Sequence, residues 1–265
     1  RVTKESVDSL SAALSSVGLA AALKQVADGF IACIEASNRF ESAITGVEKT
    51  TDLTDEELAG MAESLKDLSS TIPMTAADLA KITENAGQLG IAKDYLVAFT
   101  GVMADLGVAT NLSGEQAAQT FAKFANITSM AQKDFGRLGS TVVALGNNFA
   151  TTEADIANMA IRLAAGGTLA KLTQPEILAL ATAMSSVGIE ADAGGTAMTQ
   201  TLTAIEKAVS GGAETLQDFA RIAGMTSDEF SVKWKTTPIE AIQAFLTGLG
   251  KLESQGESAT LVLCL

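Results

Sequence analysis

Histidine is absent from all 265 residues. That absence removes the commonest general base, the Ser-His-Asp and Cys-His nucleophile systems, and every zinc site that needs imidazole. Cysteine occurs only as Cys33 and Cys264, too few for a zinc cage of their own or for the disulfide framework of a small secreted protein. Both read as free thiols. No segment reaches the roughly 20 apolar residues of a membrane span. The charge-free stretches between Asp8 and Lys24 and between Arg137 and Glu153 come nearest, but Ser, Thr, Gly and Asn interrupt them. No basic stretch leads into a short apolar core as in a signal peptide. The expectation is a soluble protein with no membrane span, made in a reducing cytoplasm.

What is present is acidic and apolar. Eighteen basic residues against thirty-one acidic ones give a net charge of −13, which repels phosphate and argues against tight nucleic-acid binding. Hydrophobic residues at 47% with only 18% charged exclude a disordered or collagen-like chain. The length fits one large domain or two small ones. Arg1 stands where an initiator Met would, and the chain stops inside the apolar run Leu261, Val262, Leu263, so a piece of something longer is expected.

A helix-start signature recurs along the chain: Ser or Thr followed three residues later by an acid or amide. It is found at Thr54/Glu57, Thr75/Asp78, Ser113/Gln116, Thr152/Asp155, Thr173/Glu176, Thr226/Glu229 and Thr237/Glu240. The hydroxyl accepts from an orphan amide of the first turn, and the residue three on reaches back or favours the positive helix end. Pro238 then sits at the first helical position, where a missing N–H costs nothing. Gly90, Gly107, Asn147, Gly166, Gly188, Gly211 and Gly224 fall where apolar periodicity stops, as left-handed caps do. Strict apolar alternation is missing. The fold class is therefore all-α, a compact array of ten to twelve short capped helices. The helices are expected over 55–69, 76–89, 93–107, 114–125, 132–146, 153–165, 174–187, 195–210, 214–223, 227–235 and 238–254.

The first fifty residues differ. Val7, Leu10, Leu14, Val17 and Ala21 make an apolar seam. After Gly29 the pattern resets with Phe30, Ile34, Phe40, Ile44 and Val47. This predicts a two-part helical arm over 1–50, coiled-coil or laid on the domain and open to self-association, followed by a core domain over 51–265. Within it, Thr75 to Ile91 aligns without gaps on Thr173 to Ile189, with Thr, Gly and Ile identical at the ends; two readings stand, an internal repeat of 75–172 and 173–265 or the ordinary likeness of two capped helices.

Chemistry is sparse. Asp55, Glu56 and Glu57, and the pair Asp228 and Glu229, are the carboxylate clusters that acid catalysis without histidine needs. Each lies in a predicted first helical turn, where the dipole favours acids. Glu41-Ser42 and Glu63-Ser64 resemble the Glu-Ser dipeptide of lytic transglycosylases, but one Trp, one Tyr and ten Phe leave little with which to line a sugar cleft. Gly194-Gly195 and Gly211-Gly212 read as turns, since no G-x-x-x-x-G-K-[ST] accompanies them. Phe121, Phe124 and Phe135 read as core. Trp234, between Lys233 and Lys235, reads as half-buried. No catalytic, metal or cofactor residue is assigned.

In order along the chain, three runs stand out first: Ala86-Gly87-Gln88-Leu89-Gly90-Ile91, Ala109-Thr110-Asn111-Leu112-Ser113 and Asn126-Ile127-Thr128. Leu145 to Glu153 with Ile156 follows, then Ser186 to Ala191 with Gly194 to Ala197, and Phe219 to Met225 with Phe230. This order and spacing, over residues 36 to 265, resembles the core region of phage tail tape measure proteins. The resemblance implies a structural protein of a phage or prophage tail. Such proteins fix tail length during assembly, lie in the tail-tube lumen, and leave ahead of the DNA. It further implies tail tube and tail assembly proteins as partners, and a location in the virion tail after assembly in the host cytoplasm. The matching residues are caps, turns and core positions. A continuous helix of this length would reach about 400 Å, but the closely spaced caps and stops forbid such a rod. The piece thus reads as a compact domain rather than the measuring segment. The alternatives are a peptidoglycan hydrolase fragment and a membrane-interacting helical protein. The acidity opposes the latter on anionic lipid.

Overall fold

The computed structural model describes residues 19–212 and 215–254, together with residues 8, 9 and 12. Among them the chain forms twelve α-helices, two short 3-10 turns and no strand.

The helix α5, Gly114–Thr128, shows how the sequence makes the fold. Ser113 caps its start and Ser129, at φ 52°, ends it in a left-handed turn. Ala117, Ala118, Phe121, Ala122, Phe124 and Ala125 recur at helical spacing and are buried, while Gln119 and Lys123 face out. Small alanines let neighbouring helices approach and the two phenylalanines fill the space between them. α5 packs against α3, Ala76–Gln88, and α4, Leu96–Ala109, and on its other side against α7, Glu153–Leu169.

Around this centre α2, Asp55–Thr71, lies on α3 and α4, and α6, Phe135–Asn148, lies on α4 and α7. The rings of Phe99 on α4 and Phe135 on α6 meet edge to face at 4.6 Å. α8, Gln174–Ser186, and α9, Ala191–Gly211, both pack on α7. A terminal trio follows: α10, Thr215–Ile222, α11, Ser227–Thr236, and α12, Pro238–Ser254. It joins through α10 on α9 and through Trp234, whose Nε1 donates to Glu206 Oε2 at 2.7 Å.

The first helix departs from the two-part arm expected. α1 runs unbroken over Leu19–Thr50, through Gly29. Its C-terminal half buries Ala43 and Val47 in the common core and packs on α3, while Phe30, Ile31 and Ile34 stay exposed. A mid-helix glycine costs only about 1 kcal/mol relative to Ala, and docking of the same helix offsets it. Of the expected seam, Val7, Leu10, Leu14 and Val17 lie outside the described residues, as do Cys264 and the run Leu261 to Leu263; Ala21 is exposed on α1 and Cys33 is a free, exposed thiol.

Four other expectations change. The helix expected from 195 begins at Ala191, so Gly194 and Gly195 lie inside it and not in a turn. A methyl group at Gly195 would stand 2.6 Å from Arg162 Cβ, so this glycine lets α9 cross α7 closely. Gly107 and Gly166 likewise lie within α4 and α7, and Asn147 within α6, whose cap is the extended Phe149. At the end of α9 the left-handed residue is Gly212, one beyond Gly211. Trp234 is buried, not half-buried, and stacks on Phe230 at 6.4 Å.

Candidate functional site

The residues singled out in the sequence lie mainly at helix ends. Thr54, Ser113 and Thr226 form reciprocal boxes: the hydroxyl accepts from the amide of Glu57, Gln116 or Glu229, and that side chain accepts from the cap amide. Thr75 and Thr152 accept from the amides of Asp78 and Asp155 at 3.2 Å and donate to the same carboxylates at 2.7 Å. Aspartate is one methylene shorter than glutamate, and neither of these carboxylates accepts from its cap amide. At Thr173 both the amide and the hydroxyl donate to Glu176 Oε2, at 2.7 and 2.8 Å.

Thr237 and Glu240 do not form such a box. A single residue separates α11 from α12, and Thr237 serves as the C-cap of α11, its amide donating to the Lys233 carbonyl at 2.8 Å. Its hydroxyl turns to that same carbonyl at 3.4 Å, and Glu240 pairs with Lys233 Nζ at 2.6 Å. Pro238 does occupy the first position of α12. Thr54→Ala is therefore expected to lower stability by about 1 kcal/mol. Thr237→Ala should stay within about 0.5 kcal/mol, because no first-turn amide loses a partner. Urea midpoints compare the two, and equal losses would contradict the assignment.

In the carboxylate clusters Glu57 and Glu229 are engaged in the same structural way. Lys93 bonds to Glu57 and, together with the Thr54 amide, holds the Glu57 carboxyl below the usual range. The Thr226 amide lowers Glu229, and Lys233 lowers Glu240. A glycosidase acid needs the opposite shift. Glu41 and Glu63 are exposed on α1 and α2. Among the described residues no cluster of His, Cys, Asp or Glu has the makings of a metal site, and no helix is long and apolar enough to cross a membrane.

The most specific arrangement is the corner after α3. Gly90, at φ 82°, ends the helix; Ile91 folds back, 5% exposed, with its amide on the Ala86 carbonyl at 3.0 Å. The last turn of α5 and the 3-10 turn that follows it cover this corner. Asn126 Nδ2 donates to the Leu89 carbonyl at 2.8 Å and Gln132 Nε2 to the Gly90 carbonyl at 3.1 Å, while Gln132 Oε1 accepts from the Ala92 amide at 2.8 Å. Gln132 was not marked by sequence reasoning. Its only signal was an amide side chain at the first position of the helix expected over 132–146, which the structure makes a 3-10 turn. Gly188, at φ 78°, ends α8 in the same way, with the Ile189 amide on the Met184 carbonyl at 3.2 Å.

Residues 62–262 match the family model described as phage-related minor tail protein. This chain belongs to that family. No curated protein and no solved structure matches it. It is thus an all-α structural protein of a phage tail, with tail assembly as its setting.

Proposed function

We propose that the chain is a compact helical domain of a tape measure protein, involved in tail assembly and length determination without enzymatic activity of its own. One observation carries this reading: the ordered runs that resemble tape measure cores, from Ala86 to Phe230, fall within the residues matched by the tail-protein family. In the structure those runs supply helix ends and core, including the Gly90 and Gly188 corners. Helices gathered around α5 and α7 over one shared hydrophobic core support a folded unit in place of an extended ruler. Its partners in this reading are tail tube and tail assembly proteins, its place is the virion tail, and assembly takes place in the host cytoplasm.

The hydrolase alternative gives the test. Glu41→Gln and Glu63→Gln are expected to leave tail yield and infectivity unchanged, and zymography of the purified protein on cell walls to stay blank. Clearing of the cell wall that either substitution abolishes, with the urea midpoint unmoved, would replace the structural reading with an enzymatic one.

A further inference from the structure

Two helix ends in this chain are built alike and finished differently. α2 and α7 are both 17 residues long, α3 and α8 both 13, and each second member begins 98 positions after the first. In that register Thr54, Met61, Leu65, Gly90 and Ile91 recur as Thr152, Met159, Leu163, Gly188 and Ile189. The backbone repeats as well. Leu89 (φ −94°, ψ 6°) corresponds to Val187 (−98°, 13°), and Ala92 (−66°, 146°) to Glu190 (−70°, 141°). With the left-handed Gly90 and Gly188 between them, the two corners present the same carbonyls and the same amide.

The first corner is covered and the second is open. Ile91 is 5% exposed, whereas Ile189 is 41% and Val187 75% exposed. Among the described residues no side chain donates to the Val187 or Gly188 carbonyl in the way that Asn126 and Gln132 serve Leu89 and Gly90. Beside the corner, Ser186 Oγ is buried without a hydrogen-bond partner among those residues. A cleft of about 790 Å³ adjoins it, with Asp155, Glu190 and Asp192 on its walls against Arg162 alone. Arg162 is already paired with Asp192, so the rim is negative.

We propose that the corner Val187–Glu190 is a docking site for a helix–helix turn of a partner protein that presents a glutamine or asparagine carboxamide with basic residues beside it. The carboxamide N–H donates to the Gly188 carbonyl and its oxygen accepts from the Glu190 amide, as Gln132 does at Gly90 and Ala92. Apolar residues of the turn cover Ile189, and the basic flank faces the acidic rim. The occupant is not a second copy of this chain, whose net charge of −13 repels the acidic rim. The site rests on the duplicated corner and not on the tape measure reading.

The test places a photoreactive benzophenone side chain at position 187 of the full chain during tail assembly and maps the crosslink by mass spectrometry. The expected product joins position 187 to a partner segment within one helical turn of a Gln or Asn. Replacing that residue by Ala reduces the yield about tenfold, the effect of leaving a buried polar group unpaired, and Ile189→Asp in this chain lowers it by a similar factor because a charge then lies under the apolar cover. Ile189→Asp leaves the urea midpoint unchanged, while Ile91→Asp at the covered corner lowers it sharply. Four results overturn the proposal: a yield no greater than that from the same reporter at the exposed Val232, a product with a second copy of this chain, a yield indifferent to the carboxamide, or an Ile189→Asp protein as destabilised as Ile91→Asp.

Discussion

Deleting residues 75–172 is expected to leave particles with few or no tails, not with uniformly shorter ones. The deletion removes α3 to α7 in one piece. With them go Phe99, Phe121, Phe124 and Phe135, all at most 2% exposed, and the helix α5 on which α3, α4 and α7 converge. What remains presents the apolar faces of α1, α2 and α8 to water with nothing to cover them, a loss far beyond the few kcal/mol that separate folded from unfolded domains. An extended helical ruler behaves otherwise. Loss of 98 residues would shorten it by about 150 Å at the helical rise, and tails would remain numerous and uniform. Electron microscopy of the mutant particles distinguishes the two, and a homogeneous shortened population would make this segment the ruler itself.

Phe99→Ala should be among the most damaging single changes, lowering stability by about 3–5 kcal/mol. Phe99 is 1% exposed, and its ring meets Phe135 edge to face at 4.6 Å, with an interplanar angle of 79°. Truncation removes the apolar contact, forfeits the ring pair and leaves a void between α4 and α6, which rigid helices only partly close. Measured by urea unfolding, the midpoint falls with little change in slope. A shift no larger than that of Val232→Ala, on an exposed face of α11, would show that the two rings do not share a core.

Local chemistry explains why so much of the helix layout was legible. A hydroxyl and an acid three residues apart satisfy first-turn amides without help from the rest of the chain, so Thr54, Thr75, Ser113, Thr152, Thr173 and Thr226 each precede a helix by one residue. What the sequence hid depends on distant partners. Gly194-Gly195 looks like a turn until Arg162 of α7 comes within reach of Gly195. Thr237 has the sequence of a cap, but the one-residue link to α11 gives its amide and hydroxyl to Lys233. Trp234 is buried because Glu206, 28 residues away, accepts its N–H. The same limit applies at the corners. Gly90 and Gly188 carry the same local signal, but covering by Asn126 and Gln132 depends on a turn some forty residues downstream of the first.

Tail length in a phage carrying a tandem second copy of residues 51–254 tests the compact-domain reading most directly. If the domain acts as a folded unit, the length histogram from negative-stain microscopy keeps its wild-type peak, since an added globular domain contributes no axial rise. If the segment is extended in the tail, every particle lengthens by about 300 Å at the helical rise, and a single peak displaced by that amount would contradict the account.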